Sequence, residues 1–104
     1  MSFLVEFAIF PTDSTESKSS FVAKVLDIVD RSGLNYRLTP MGTIIEAENL
    51  GEAFSIIEKA YEILGEDSNR IYSTIKIDYR KGEIGRLDKK IASVENRLGR
   101  KLKS

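Results

Sequence analysis

Polar and apolar residues change their period several times along this chain, and each change marks an element. From Ser2 to Phe10, Phe3, Val5, Phe7 and Ile9 alternate with Leu4, Glu6, Ala8 and Phe10. A period of two is that of a strand, and apolar residues on both faces predict a central strand covered on two sides. Pro11 is expected to end it, because proline has no N–H to give to a ladder. Thr12 to Ser20 is polar and turn-like and carries hydroxyls suited to capping a helix. A helix is predicted to follow, running to about Ser32. Its buried stripe is Phe21, Val25, Ile28 and Val29, widened by Val22 and Leu26. Gly33 suits the left-handed position beyond a helix, and Leu34 can fold back onto the last turn.

Tyr36 to Thr39 and Thr43 to Glu48 read as two short strands joined by the turn Pro40-Met41-Gly42, which makes a hairpin. Asn49 with Glu52 three residues on resembles a capping box and opens a helix to Leu64. On that helix Leu50, Ala53, Phe54, Ile57, Ala60, Tyr61 and Leu64 share one face, and Gly65 closes it. Arg70 to Asp78 is a fourth strand, with Ile71, Ser73, Ile75 and Ile77 on one face and Tyr72, Thr74, Lys76 and Asp78 on the other. After a loop at Lys81–Gly85, a last helix is expected from Leu87 to Leu98. Leu87, Ile91, Val94 and Leu98 form a narrow stripe on an otherwise charged surface, able to dock on its own domain or on a neighbouring subunit. The basic tail from Arg100 to Ser104 is expected to fray.

The order βαββαβ plus one helix is that of the ferredoxin-like split βαβ motif, an α+β fold. Right-handed crossovers place the two main helices on one face of a four-stranded antiparallel sheet. The other face is then open to a further layer or to a second copy, with Leu4, Ala8, Phe10 and Ile44 as its apolar candidates.

Composition narrows what such a domain can do. With 104 residues, one domain is the expectation. The chain has no His and no Cys, which removes His-based triads, thiol nucleophiles, disulfides and the commonest metal ligands. A catalyst built on Asp78 and Lys76 would have no visible base or metal set behind it, so no enzymatic activity is expected. Sixteen Lys and Arg balance sixteen Asp and Glu. That speaks against a nucleic-acid module, and the basic-aromatic pattern of an RNA-recognition sheet is missing from the strands. Zero net charge gives a lone monomer little colloidal repulsion and favours self-association. No apolar run reaches the length of a membrane span, and the apolar start is too short for a secretory signal, so a cytoplasmic location is expected.

Four short segments could carry chemistry. They are the loop holding Thr12, Asp13 and Ser14, the hairpin residues Thr39, Met41, Gly42 and Thr43, the strand residues Lys76 and Asp78 with Tyr79 behind them, and Asn35 entering the hairpin. Each has a plain structural role as well: turn residue, strand former or solvated charge. Taken as one patch, they would recognise a small heterocycle. Hydroxyls and backbone groups would satisfy ring nitrogens and an amine, Asp78 would balance a cationic ring, and Tyr79 would stack on it.

The segment from Ser32 to Glu46, SGLNYRLTPMGTIIE, resembles the signature of the thiamine-binding protein family, also known as UPF0045. Thr74-Ile75-Lys76-Ile77-Asp78 with Arg80 is similar to its second signature, and Lys89 to Gly99 to its closing helix. The resemblance spans nearly the whole chain. It implies a ferredoxin-like fold assembled as a homodimer or homotetramer, with thiamine or its pyrimidine precursor as ligand and no established catalysis; the residues themselves predict no cofactor and no metal. Where the family often has a second Asp after Asp78, this chain has Tyr79. Where it often has glycine after the first strand, Thr12-Asp13-Ser14 stands instead. Two functions remain in view. One is a small-molecule binding protein. The other is a regulatory or scaffolding homo-oligomer whose small-molecule site tunes binding to a protein partner.

Overall fold

The computed structural model describes residues 1–13 and 17–103. Its elements are β1 (Ser2–Pro11), α1 (Lys18–Arg31), β2 (Asn35–Thr39), β3 (Gly42–Ala47), α2 (Leu50–Gly65), β4 (Ile71–Arg80) and α3 (Arg86–Leu98). The four strands form one antiparallel sheet in the order β2-β3-β1-β4. The fold is the expected ferredoxin-like α+β arrangement.

β1 is central, as its two apolar faces required. Val5 sits opposite Ile45 of β3 and Ile77 of β4, and Phe7 opposite Thr43 and Ile75. The residues of one parity on β1, namely Val5, Phe7 and Ile9, pack with Phe21, Val25 and Val29 of α1 and Ala53, Ile57, Ala60 and Leu64 of α2. Burial of these side chains, each stabilising by about 1.5–3 kcal/mol for a Val, Leu, Ile or Phe, is the main force holding this layer. Pro11 does not stand outside the strand: it is the last residue of β1 and lies opposite Ile71, at an end where a missing N–H is tolerated.

The helix ends follow local chemistry. α1 starts within the polar segment, at Lys18, and closes with Gly33 at φ 78°. The Ser32 hydroxyl donates to the Val29 carbonyl at 2.5 Å and so occupies one of the carbonyls left free at the helix end. Asn49 caps α2 by accepting from the Glu52 N–H at 2.9 Å, while its amide donates to the Glu52 carboxylate at 2.7 Å. The buried face of α2 is turned from the expected one. Ile56 is buried, whereas Phe54 and Tyr61 lie at its margin and stay exposed. The reason is that α2 packs over β1 and β3 and reaches only the near side of β4. The same geometry leaves Ile75, Ile77 and Tyr79, on the helix side of that edge strand, 40–44% exposed.

The opposite face is covered at one end by α3, whose first turn docks on its own sheet. The anchor is Glu46 of β3, only 1% exposed. Its carboxylate accepts from the Ser2 hydroxyl at 2.5 Å, and from the backbone N–H groups of Gly85 at 2.9 Å, Arg86 at 3.0 Å and Leu87 at 3.4 Å. An anion thereby occupies the positive end of the α3 dipole and satisfies donors that a helix start leaves free. Arg86 completes the clamp, donating to the Ser2 hydroxyl and carbonyl and to the Asp78 carboxylate and carbonyl at 2.7–3.0 Å. Asp88 adds contacts to Asn35 and Arg37 of β2. Along the stripe of α3, Leu87 and Ile91 are half-buried while Val94 and Leu98 remain 40% and 50% exposed. Leu4, Ile44 and Ala8 on this face are half-buried, and Phe10 beyond them is exposed.

Candidate functional site

A cavity opens on the helix side, between α1 and the β2–β3 hairpin. It has a volume of about 690 Å³, within the range of small-molecule sites. β1 contributes Phe7, Ile9 and Phe10, α1 contributes Lys18, Phe21 and Val25, and the hairpin contributes Leu38 to Thr43. Aromatic rings therefore enter from two elements, and apolar Leu38 and Met41 from the third.

The hairpin owes its shape to two contacts. The Thr39 hydroxyl donates to the Gly42 carbonyl at 2.9 Å and accepts from the N–H groups of Met41 and Gly42, both at 3.2 Å. This hydroxyl builds the turn and has its hydrogen-bonding capacity taken up by it. Gly42 lies so close to β1 that a Cβ there would stand 2.9 Å from the Phe7 carbonyl oxygen, so the residue must be glycine to keep hairpin and strand in register.

Thr43 is different. The residue is 5% exposed and lines the cavity, yet its hydroxyl has no hydrogen-bond partner among the described residues. No buried side-chain polar atom among those residues is sealed away unsatisfied, so this hydroxyl opens into the cavity. Lys18, exposed, is the one charged side chain on the wall among the described residues. The cavity can hold a flat, mostly apolar ring and offer it a hydroxyl, with no carboxylate among the described residues of its wall to balance a positive charge.

The candidate residues of the sequence do not form one patch within a single chain. Thr39, Met41, Gly42 and Thr43 meet at this cavity. Thr12 and Asp13 instead fasten the end of β1 to the segment before β4. The Thr12 N–H donates to the Arg70 carbonyl at 2.9 Å, and the Asp13 carboxylate accepts from the Ser68 hydroxyl and, at 2.8 Å, from the Asn69 N–H. Those bonds, the Ser68 one foremost, hold the Asp13 carboxyl below its ordinary pKa. Ser14 lies outside the described residues. Asn35 and Asp78 sit on the opposite face, held by Asp88 and Arg86 of α3. Lys76 is on that face too, exposed and 3.8 Å from Glu6. Tyr79 is on the helix side of the edge strand, its ring 4.8 Å from that of Phe3. Asp78 and Tyr79 are adjacent in sequence and so point to opposite faces, which prevents them from gripping one ring together. Sequence reasoning assigned Phe7 and Phe21 to the core, where they are, but not to a cavity wall, and it passed over Lys18. Alternation shows that a side chain points inward and cannot show that the packing there is incomplete.

Comparisons with known proteins agree with this architecture. Residues 5–95 match the model of the family described as thiamine-binding protein, and the chain belongs to that family. A UPF0045 protein of Methanothermobacter thermautotrophicus is 33% identical over 95 residues, covering 89% of this chain and 96% of the relative. The MJ1052 protein of Methanocaldococcus jannaschii superposes with a TM-score of 0.78 at 26% identity, covering 89% of this chain and 95% of the other. A Thermotoga maritima protein proposed to act in thiamine biosynthesis or salvage shares the fold, with a TM-score of 0.76 at 18% identity, over 90% of this chain and 99% of the other.

Proposed function

We propose that this protein is a non-catalytic binder of thiamine or a related aminopyrimidine, and that the helix-side cavity is its site. The observation that carries the reading is the free Thr43 hydroxyl inside an aromatic-lined cavity of a thiamine-binding family member. A planar aminopyrimidine matches the walls, with Phe7 and Phe21 beside the ring and the Thr43 hydroxyl against a ring nitrogen or the amine. The neutral pyrimidine is favoured over the cationic thiazolium at this wall, because among the described residues Lys18 brings a positive charge and no carboxylate lines the cavity. Asp78, which the sequence offered as that counter-charge, is committed to Arg86 on the far face. Calorimetric titration with thiamine and with its isolated hydroxymethylpyrimidine half tests the assignment. Both are expected to bind, and Thr43→Val is expected to weaken both about tenfold, the worth of one well-placed hydrogen bond. No heat from either compound at millimolar concentration would refute it.

Self-association is the second part of the proposal. β4 is a ten-residue edge strand whose outer side has no strand partner among the described residues, and it presents exposed Ile75, Ile77 and Tyr79. Long apolar edges of this kind pair with another copy or must be blunted. Light scattering on the protein is expected to show a dimer or larger assembly, and Ile75→Asp with Ile77→Asp to shift it toward monomer. A wild-type monomer at every concentration would refute this part.

A further inference from the structure

A second cleft of about 600 Å³ lies on the other face of the sheet, between α3 and the end of β4. Leu4 and Val94 supply apolar contact, and Ser93 a hydroxyl. Among the described residues five cations line it, Arg80, Arg86, Lys89, Lys90 and Arg97, against one carboxylate, Asp78. On α3 the residues Arg86, Lys90, Ser93 and Arg97 follow at spacings of four, three and four, which places them on one helix face.

The charges in this cleft are not equally committed. Arg86 is held by Ser2 and Asp78, with a side chain only 12% exposed, and neutralises Asp78. Lys89 reaches the exposed Glu83 at 3.0 Å. Arg80, Lys90 and Arg97 have no ion-pair or hydrogen-bond partner among the described residues. Three cations therefore face one cleft beside a hydroxyl. Holding like charges together costs energy unless an anion joins them.

The whole-chain balance hides this separation. From Lys76 onward the sequence has ten Lys and Arg against four Asp and Glu, a net of +6, and the residues before it carry six against twelve, a net of −6. A long polyanion or an anionic membrane would meet that negative remainder as well as the cleft and be repelled by it. A compact anion confined to the cleft would not. Arginine forks and lysine ammonium groups match phosphate oxygens, and the Leu4 and Val94 walls accept an organic body attached to them.

We propose that this cleft is a site for a small, multiply charged phosphorylated molecule, separate from the helix-side cavity. Arg80, Lys90, Ser93 and Arg97 contact its phosphate groups, and Arg86 fixes the helix face that presents them.

Inorganic pyrophosphate is the probe, titrated by calorimetry into the full chain at fixed ionic strength. One site is expected. Arg80→Ala with Arg97→Ala should weaken it at least tenfold, and the charge-matched pair Arg31→Ala with Lys59→Ala, on α1 and α2, should leave it unchanged. Thr43→Val should also leave it unchanged, which separates this site from the thiamine reading. Absence of binding, or equal weakening by both double variants, would overturn the proposal. So would tighter binding of a single-stranded RNA oligonucleotide that depends on Arg100, Lys101 and Lys103 instead of Arg80 and Arg97.

Discussion

The two faces of the sheet are held by different forces. On one, α1 and α2 close over Val5, Phe7, Val29 and Ile45, all at most 2% exposed, and apolar burial does the holding. On the other, α3 contributes no buried residue and is fastened by Glu46, Ser2, Arg86 and Asp78. Apolar burial depends on no ionised group. The fastening of α3 uses ionised carboxylates, with Glu46 at its centre. The helix-side layer therefore sets the stability of the domain, whereas α3 is a separately attached element. The candidate small-molecule cavity belongs to the stable side and the cationic cleft to the attached one.

The difference can be broken from the apolar side first. Phe7→Ala removes a ring from the core and from the cavity wall, and is expected to cost about 3–5 kcal/mol and to unfold both layers together. Urea denaturation followed by circular dichroism would show a lower midpoint with the slope kept. Next comes Glu46→Ala, which leaves the Ser2 hydroxyl and the first N–H groups of α3 without their acceptor, at a cost of about 3 kcal/mol. Hydrogen exchange is expected to speed up in α3 and not in α1 or α2.

Acid should do the same by titration. Burial alone would raise the Glu46 pKa, but the Ser2 hydroxyl and the N–H groups of Arg86, Gly85 and Leu87 outweigh it and hold the carboxyl below its ordinary value. A depressed folded value means the contribution is complete above the ordinary carboxylate range and is lost as pH falls through the lower, folded one. Loosening of α3 ahead of the helix-side core on acidification, followed by exchange or by nuclear magnetic resonance, is therefore expected, and Glu46→Gln should abolish that pH dependence. The smallest effect belongs to Asp88→Asn. Its ion pair with Arg37 is exposed on both sides, so a change of at most about 0.5 kcal/mol is expected.

Much of the apolar side was legible in the sequence. Alternation along β1 and the Phe21, Val25, Val29 stripe are local patterns, and each survives in the structure because a period of two or 3.6 is enough to aim a side chain. The rotation of α2 toward Ile56 was not legible, since it depends on which strands lie beneath the helix. The clamp on α3 was not legible either: Glu46 meets residues about 40 positions later, and nothing local marks a strand glutamate as a helix cap. The site divides the same way. The Thr39–Thr43 hairpin is contiguous, and its residues line one cavity. Asp78 lies opposite Leu4, on the α3 face, so within one chain it stands apart from that hairpin.

Thiamine is the proposed ligand, and the helix-side cavity its proposed site. Titrating thiamine into uniformly 15N-labelled protein and following the backbone amides tests this directly. Shifts are expected at Phe7–Phe10, Phe21–Leu26 and Leu38–Thr43, the three walls of the cavity, with Asn35, Asp78 and Arg86 unmoved. Shifts centred on Asn35 and Asp78, or none at millimolar thiamine, would contradict it.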